Sequence, residues 1–466
     1  TAYGRGNTGF REIGTNDVFA VIDEIKKQYN IDNDRIYLAG HSMGGHGSWY
    51  LGVHYPDRWA ALNPMSGYGD YRLWNQDIPD WQVPLYEDKS ACFFLENLLH
   101  LPVYNIHGAK DDDVSVEHSR RLMTSLNNLN YQAVYNEDPD KPHWWGMDFP
   151  EAIKFLRQQK RDPYPEEVIF KTNRLKYNCS YWVMLDAIDD IPGMAKIHAK
   201  IEEKNHIRVR VENVLQYSLS LNEHLIDVKQ PLVIETNGRK SFEGMLPPSG
   251  IVTLKAMPEN QNEVQGYLPL SAPSMTLAKT HDLCGPIIDA YSSRFIFIYG
   301  TSGTLKDTEI NLREARQDAL DWRTWANGNS IIKSDREITR EDIENYNLIL
   351  FGNPETNTLI ARMNENLPIR IDKCCVKAGD WEFRGEDVGA KFVYPNPLNP
   401  AKYVLINSGV SSRAVDKIHR LGDPLYDPLP DYIIFRRQDV NYDRHFFLKA
   451  GFFDRNWEIE SINLKK

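Results

Sequence analysis

The chain has 466 residues, 41% hydrophobic and 26% charged, with a formal net charge of -11. That acidic balance, without a basic stripe, argues against a nucleic-acid surface, and no apolar run approaches the roughly 20 residues of a membrane span. A chain this long exceeds what one hydrophobic core serves, so about three domains are expected.

Residues 1–162 alternate helix and strand signals. Val18, Val21, Ile22, Ile25 and Tyr29 recur at helical spacing behind Thr15 and Asn16, which predicts an amphipathic helix over 17–29. A strand over 35–39 runs into Gly40-His41-Ser42-Met43-Gly44, and a helix over 43–54 closes at Tyr55-Pro56. Strands over 60–65, 102–107 and 132–136 follow, with helices near 115–129 and 149–160. This order predicts a mostly parallel sheet covered by helices. The segment 70–98, with its Trp and Pro residues, interrupts the rhythm and reads as a lid over a site.

From 163 to 270 the chain shows short alternating runs such as VIFKT, AKIHAKIE and HIRVRVENV, separated by turn residues. That is the pattern of an antiparallel β-sandwich. A linker carrying LPLSAPSM leads to 284–466, where RFIFIYGT, NLILFG, KYVLINSG and DYIIFRR read as strands among helices. A second α/β domain of flavodoxin or Rossmann type is expected there, its first helix burying Leu312, Ala315, Ala319, Trp322 and Ala326. The GTSGT turn at 300–304 lacks full dinucleotide or Walker spacing and reads as a plain strand end.

Five cysteines (Cys92, Cys179, Cys284, Cys374 and Cys375) are scattered without a CxxC pair. Neither a disulfide framework nor a metal centre is expected, and no cofactor.

Glycines two residues either side of Ser42 suit a sharp strand-to-helix turn that raises the hydroxyl above the end of a sheet. A serine needs a base, and the base an orienting acid. Asp111 follows a strand ending at His107-Gly108, and His143 lies in a polar loop before the last helix of this region. Asp112 and Asp113 are rivals for the acid and read as solvated loop charge. His107 and His46 read as structural. His41, Trp144 and Trp145 are candidates for a substrate wall, with packing the competing reading for each.

The motifs GHSMGG, HGAKDDDV and PHWWG, with YNIDNDRIYLAG before them, resemble the catalytic half of an α/β-hydrolase of the prolyl-oligopeptidase-like and secreted-esterase group. The resemblance covers 1–160 and implies a triad of Ser42, Asp111 and His143, with the backbone N–H of Met43 as one oxyanion donor. It implies an acyl-ester or peptide substrate, and favours a periplasmic or secreted location. Esterase activity is the first reading, a prolyl-oligopeptidase-like peptidase the second, and a scaffold with a relic triad the third. Segments after residue 160 resemble regions that follow the hydrolase domain in large bacterial relatives. True prolyl oligopeptidases place a propeller before that domain instead, which weakens any transfer of proline specificity. In this fold further strands precede the serine strand, yet the 34 residues before RIYLAG hold no strand-like run. An upstream polypeptide is therefore expected to supply four strands and the second oxyanion donor, with Thr1 a boundary. Without it, the serine strand would be an exposed edge.

Overall fold

A computed structural model describes residues 4–75, 77–145, 149–257, 266–270, 277–422, 428–440 and 447–459. The linker at 268–275 lies mostly outside them. Two compact units emerge: 23–78 with 86–276, and 1–22 with 79–85 and 277–466. Among the described residues no helix is long and apolar enough to cross a membrane.

The first unit begins within helix α1 (Ile13–Gln28) and continues through β1 (Tyr37–His41), α2 (Met43–His54) and β2 (Ala61–Met65). After α3 (Val83–Lys89), whose first three residues belong to the other unit, come β3 (Val103–Gly108), α4 (Glu117–Asn128), β4 (Ala133–Asp138) and α5 (Pro150–Gln158). The four strands pair in parallel in the order β1-β2-β3-β4, as the alternation of elements requires. Each expected strand appears within two residues of its place. Helix α1 starts earlier than its spacing suggests. Thr15 does not cap it but sits inside, its hydroxyl donating to Phe10 O at 2.8 Å. Of the expected apolar face only Val18 is buried, while Val21 and Ile25 are about 40% exposed.

The expected lid is a packed layer. Phe94, Leu95 and Leu98 are buried. Asn97 Nδ2 donates to Val53 O at 2.8 Å and Lys171 O at 2.9 Å, and its Oδ1 accepts Lys171 N–H at 2.8 Å. One buried amide thus ties α2 to strand β5 (Glu167–Thr172); a segment anchored this way is core, not a cover.

Two five-stranded sheets complete this unit. Their strands alternate as the sequence does: Ile197, Ala199 and Ile201 face inward opposite Ile207, Val209 and Val211. At the hairpin after Leu232–Thr236, Asn237 and Gly238 take φ of 50° and 79°, the left-handed pair a two-residue turn demands.

In the second unit a seven-stranded sheet carries Phe295–Tyr299, Ile331–Ser334, Asn347–Phe351 and Asn399–Gly409 in parallel. The hairpin partner Val388–Asn396 and the two strands beyond it each pair antiparallel with the neighbour before them, so the sheet is mixed rather than wholly parallel. The long helix Leu305–Ala326 opens on a Thr304–Asp307 capping box. Its buried face is rotated from the expected one and includes Asn311, Glu314 and Asp318 beside Ala315 and Trp322. Polar groups are tolerated there because they reach partners: Asn311 Nδ2 donates to Gly300 O at 3.1 Å, and Glu314 lies 2.6 Å from His419 Nδ1. The glycine turn at 300–304 has most of its backbone donors occupied. Thr301 N–H goes to Asp335, Ser302 N–H to Thr356 O and Thr304 N–H to Asp307.

Candidate active site

The carboxyl ends of β1 to β4 share one edge of the parallel sheet, where open α/β sheets place their ligands. Between the last residue of β1 and the first of α2, Ser42 alone makes the turn. Its backbone sits at φ 58°, ψ -117°, a sparsely occupied region that costs about 1–3 kcal/mol. Ser42 N–H donates to Met65 O at 2.9 Å and His46 N–H to Ser42 O at 3.0 Å, which hold the turn. A Cβ on Gly40 would lie 2.4 Å from the Gly44 carbonyl carbon, whereas one on Gly44 would meet open space. The other close approach is Gly67 against Gly45, at 2.5 Å. The tight fit therefore belongs to Gly40, Gly45 and Gly67.

Asp111 lies in the loop after β3, its side chain fully buried. Its Oδ1 accepts the backbone N–H groups of Asp113 at 3.1 Å and Val114 at 2.7 Å, which turn the carboxylate inward. Its Oδ2 is 2.7 Å from His143 Nδ1. Asp112 and Asp113 are exposed.

His143 stands in the loop after β4, 3% exposed. A carboxylate only accepts, so the proton is on Nδ1 and the Nε2 lone pair faces Ser42 Oγ, 2.9 Å away. Of the three candidate acids, Asp111 is the one brought to His143. Met43 opens α2, so its N–H has no acceptor within the helix and lies next to the serine.

The candidate wall residues divide. His41 Nε2–H donates to the backbone carbonyl of His143 at 2.8 Å, and burial lowers its pKa, keeping it a neutral donor. Trp144 is 67% exposed, its ring 4.5 Å from His41 and edge-on to His143 at 5.2 Å. Trp145 instead lies on the end of β3, where a Cβ on Gly108 would come within 2.4 Å of its ring. His46 is buried, stacked on Tyr68 at 4.4 Å, with its Nδ1–H donating to Tyr68 O at 3.0 Å. His107, read as structural, is a further neighbour of the acid. His107 Nε2 lies 3.2 Å from Asp111 Oδ2, and its place four residues before the acid was the available signal.

Residues 3–160 match the model of the prolyl oligopeptidase family. A secreted protein of Arthroderma benhamiae, itself uncharacterized, is 37% identical over 124 residues, covering 25% of this chain and 13% of that protein. A bifunctional acetylxylan esterase/xylanase of Neocallimastix patriciarum is 26% identical over 180 residues, 35% of this chain and 24% of that protein. An uncharacterized peptidase of Bacillus subtilis is 27% identical over 139 residues, 27% and 54% of the two chains. The chain thus spans between 13% and 54% of the length of these relatives. Residues 3–160 are thus similar to the prolyl oligopeptidase family, and the chain's relatives include both a bifunctional acetylxylan esterase/xylanase and an uncharacterized peptidase.

Proposed function

We propose that this chain cleaves acyl esters through an acyl-enzyme on Ser42, with His143 as base and acid and Asp111 as its orienting carboxylate. The observation that carries the reading is the hydrogen-bonded row from Ser42 Oγ through His143 to Asp111 Oδ2, at 2.9 Å and 2.7 Å. As Ser42 Oγ attacks the acyl carbon, its proton passes to His143 Nε2, and Asp111 stabilises the imidazolium. The Met43 N–H faces the developing oxyanion. Collapse expels the alcohol, which takes the proton from His143. Water then attacks the acyl group, gives its proton back through His143, and the acid leaves Ser42 free.

A peptidase is the second reading, favoured by the family match and by the peptidase relative. Hydrolysis of p-nitrophenyl acyl esters set against proline-containing and aminoacyl peptides separates the two. Esters turned over with peptides untouched support the esterase, and the reverse supports the peptidase.

The same reading divides the chain into a hydrolase domain over 1–162, a β-sandwich over 163–270 and an accessory α/β domain over 284–466. Secretion fits the secreted relative.

A further inference from the structure

We propose that His107, oriented by Ser119, is a positioning residue that holds the Asp111 carboxylate for His143. The inference rests on the triad reading above and adds two residues to it. His107 is the penultimate residue of β3 and Ser119 lies on α4, both fully buried. His107 Nε2 faces two oxygens, Val114 O at 3.0 Å and Asp111 Oδ2 at 3.2 Å. Both only accept, so Nε2 carries the ring proton; the other tautomer would set a lone pair against two oxygens in a dry site. Nδ1 is then an acceptor, and the Ser119 hydroxyl 2.7 Å away must donate to it. One hydroxyl hydrogen thereby fixes the tautomer.

Asp111 thus receives three hydrogen bonds, two backbone N–H groups on Oδ1 and the His143 imidazole on Oδ2. The His107 Nε2–H, hydrogen-bonded to Val114 O, lies 3.2 Å from Oδ2 as a fourth, electrostatic contact. A buried carboxylate stays ionised only when its lone pairs are satisfied. His107 adds that contact without adding charge, since burial lowers its pKa. It also fixes the plane of the oxygen that His143 uses. The other titratable groups acting on this row are His41, His118 and Glu137. Glu137 is paired to Arg120 at 2.6 Å.

With the His107 donor removed, the unprotonated Asp111–His143 pair loses more than the protonated pair, because His143 then neutralises the carboxylate itself. Proton uptake by the pair becomes easier, and the acid limb of kcat/KM moves to higher pH. A residue that only packs lowers stability or activity and leaves that limb in place.

The test uses the full chain with His107→Phe, His107→Gln and Ser119→Ala, following the downfield proton resonance of His143 Nδ1–H against pH alongside kcat/KM. His107→Phe should raise the titration midpoint by about half a pH unit or more and lower kcat/KM about tenfold at neutral pH. His107→Gln, which keeps an N–H donor, should return the midpoint most of the way, and Ser119→Ala should fall between. A folded His107→Phe whose midpoint and acid limb match the parent overturns the inference. Should His107→Phe not fold, Ser119→Ala decides alone, and an unmoved midpoint there is equally fatal. A parent protein with neither the downfield resonance nor ester or peptide turnover would instead refute the triad reading.

Discussion

The Nε2–H of His41 donates to the backbone carbonyl of His143 at 2.8 Å. The residue before the serine therefore holds the loop that carries the base. His41→Phe keeps a ring against Trp144 and loses the donor. We expect kcat to fall about tenfold, the worth of one hydrogen bond, with KM changed less than about twofold. A change confined to KM would make His41 a substrate wall instead.

Asp111 alone of its acidic run meets His143, so substitutions along the run should differ sharply. His143→Ala should cost several orders of magnitude in turnover, and Asp111→Asn nearly as much through the wrong tautomer. Asp113→Asn should be mild, because Asp113 is exposed and offers Asp111 only its backbone N–H. Rates of the three purified variants check the order. A greater loss from Asp113→Asn than from Asp111→Asn would move the acid.

The two glycines of the serine turn should not behave alike. Gly40→Ala forces a Cβ against the Gly44 backbone at 2.4 Å, where only main-chain movement gives room. Gly44→Ala meets open space. Thermal melts should show Gly40→Ala strongly destabilised or unable to fold, and Gly44→Ala within about 1 kcal/mol of the parent.

His118 gives a pH dependence of stability. It is fully buried, Nδ1 accepts the N–H of Asp70 at 3.3 Å, and burial pushes its pKa down to about 4. The unfolded imidazole titrates near 6.5, so between that value and about 4 the unfolded chain binds the extra proton. Stability contributed here is complete above the upper limit and is lost as pH falls through the window, by roughly 3 kcal/mol at most. His118→Asn keeps an acceptor and removes the titration. Its melting temperature should decline less steeply from pH 7 to pH 4 than that of the parent.

Much of the site was legible because its chemistry and its chain geometry coincide. The turn at Ser42, the loop acid and the loop histidine each sit at a strand end, and strand ends follow from apolar runs of four to six residues. What escaped depends on partners far away in sequence. Val21 and Ile25 show helical spacing, but spacing names a face without naming what covers it, and here they are exposed. The run through Phe94 and Leu98 looked like a lid because Trp and Pro break its periodicity, while Asn97 binding to Val53 and Lys171 is invisible to local reading. His107 read as structural, and its contacts with Asp111 and Val114 are made only once the loop after its strand has folded back. The polar face of the helix Leu305–Ala326 was missed for the same reason: Glu314 is buried because His419 meets it from 105 residues away.

The proposed chemistry turns on Ser42 being a nucleophile activated by His143. A fluorophosphonate probe, followed by peptide mapping of the intact protein, tests it most directly. A single adduct on Ser42 is expected, absent in Ser42→Ala and slowed by several orders of magnitude in His143→Ala. An unlabelled Ser42 in folded protein, or labelling that survives His143→Ala at the parent rate, would contradict it.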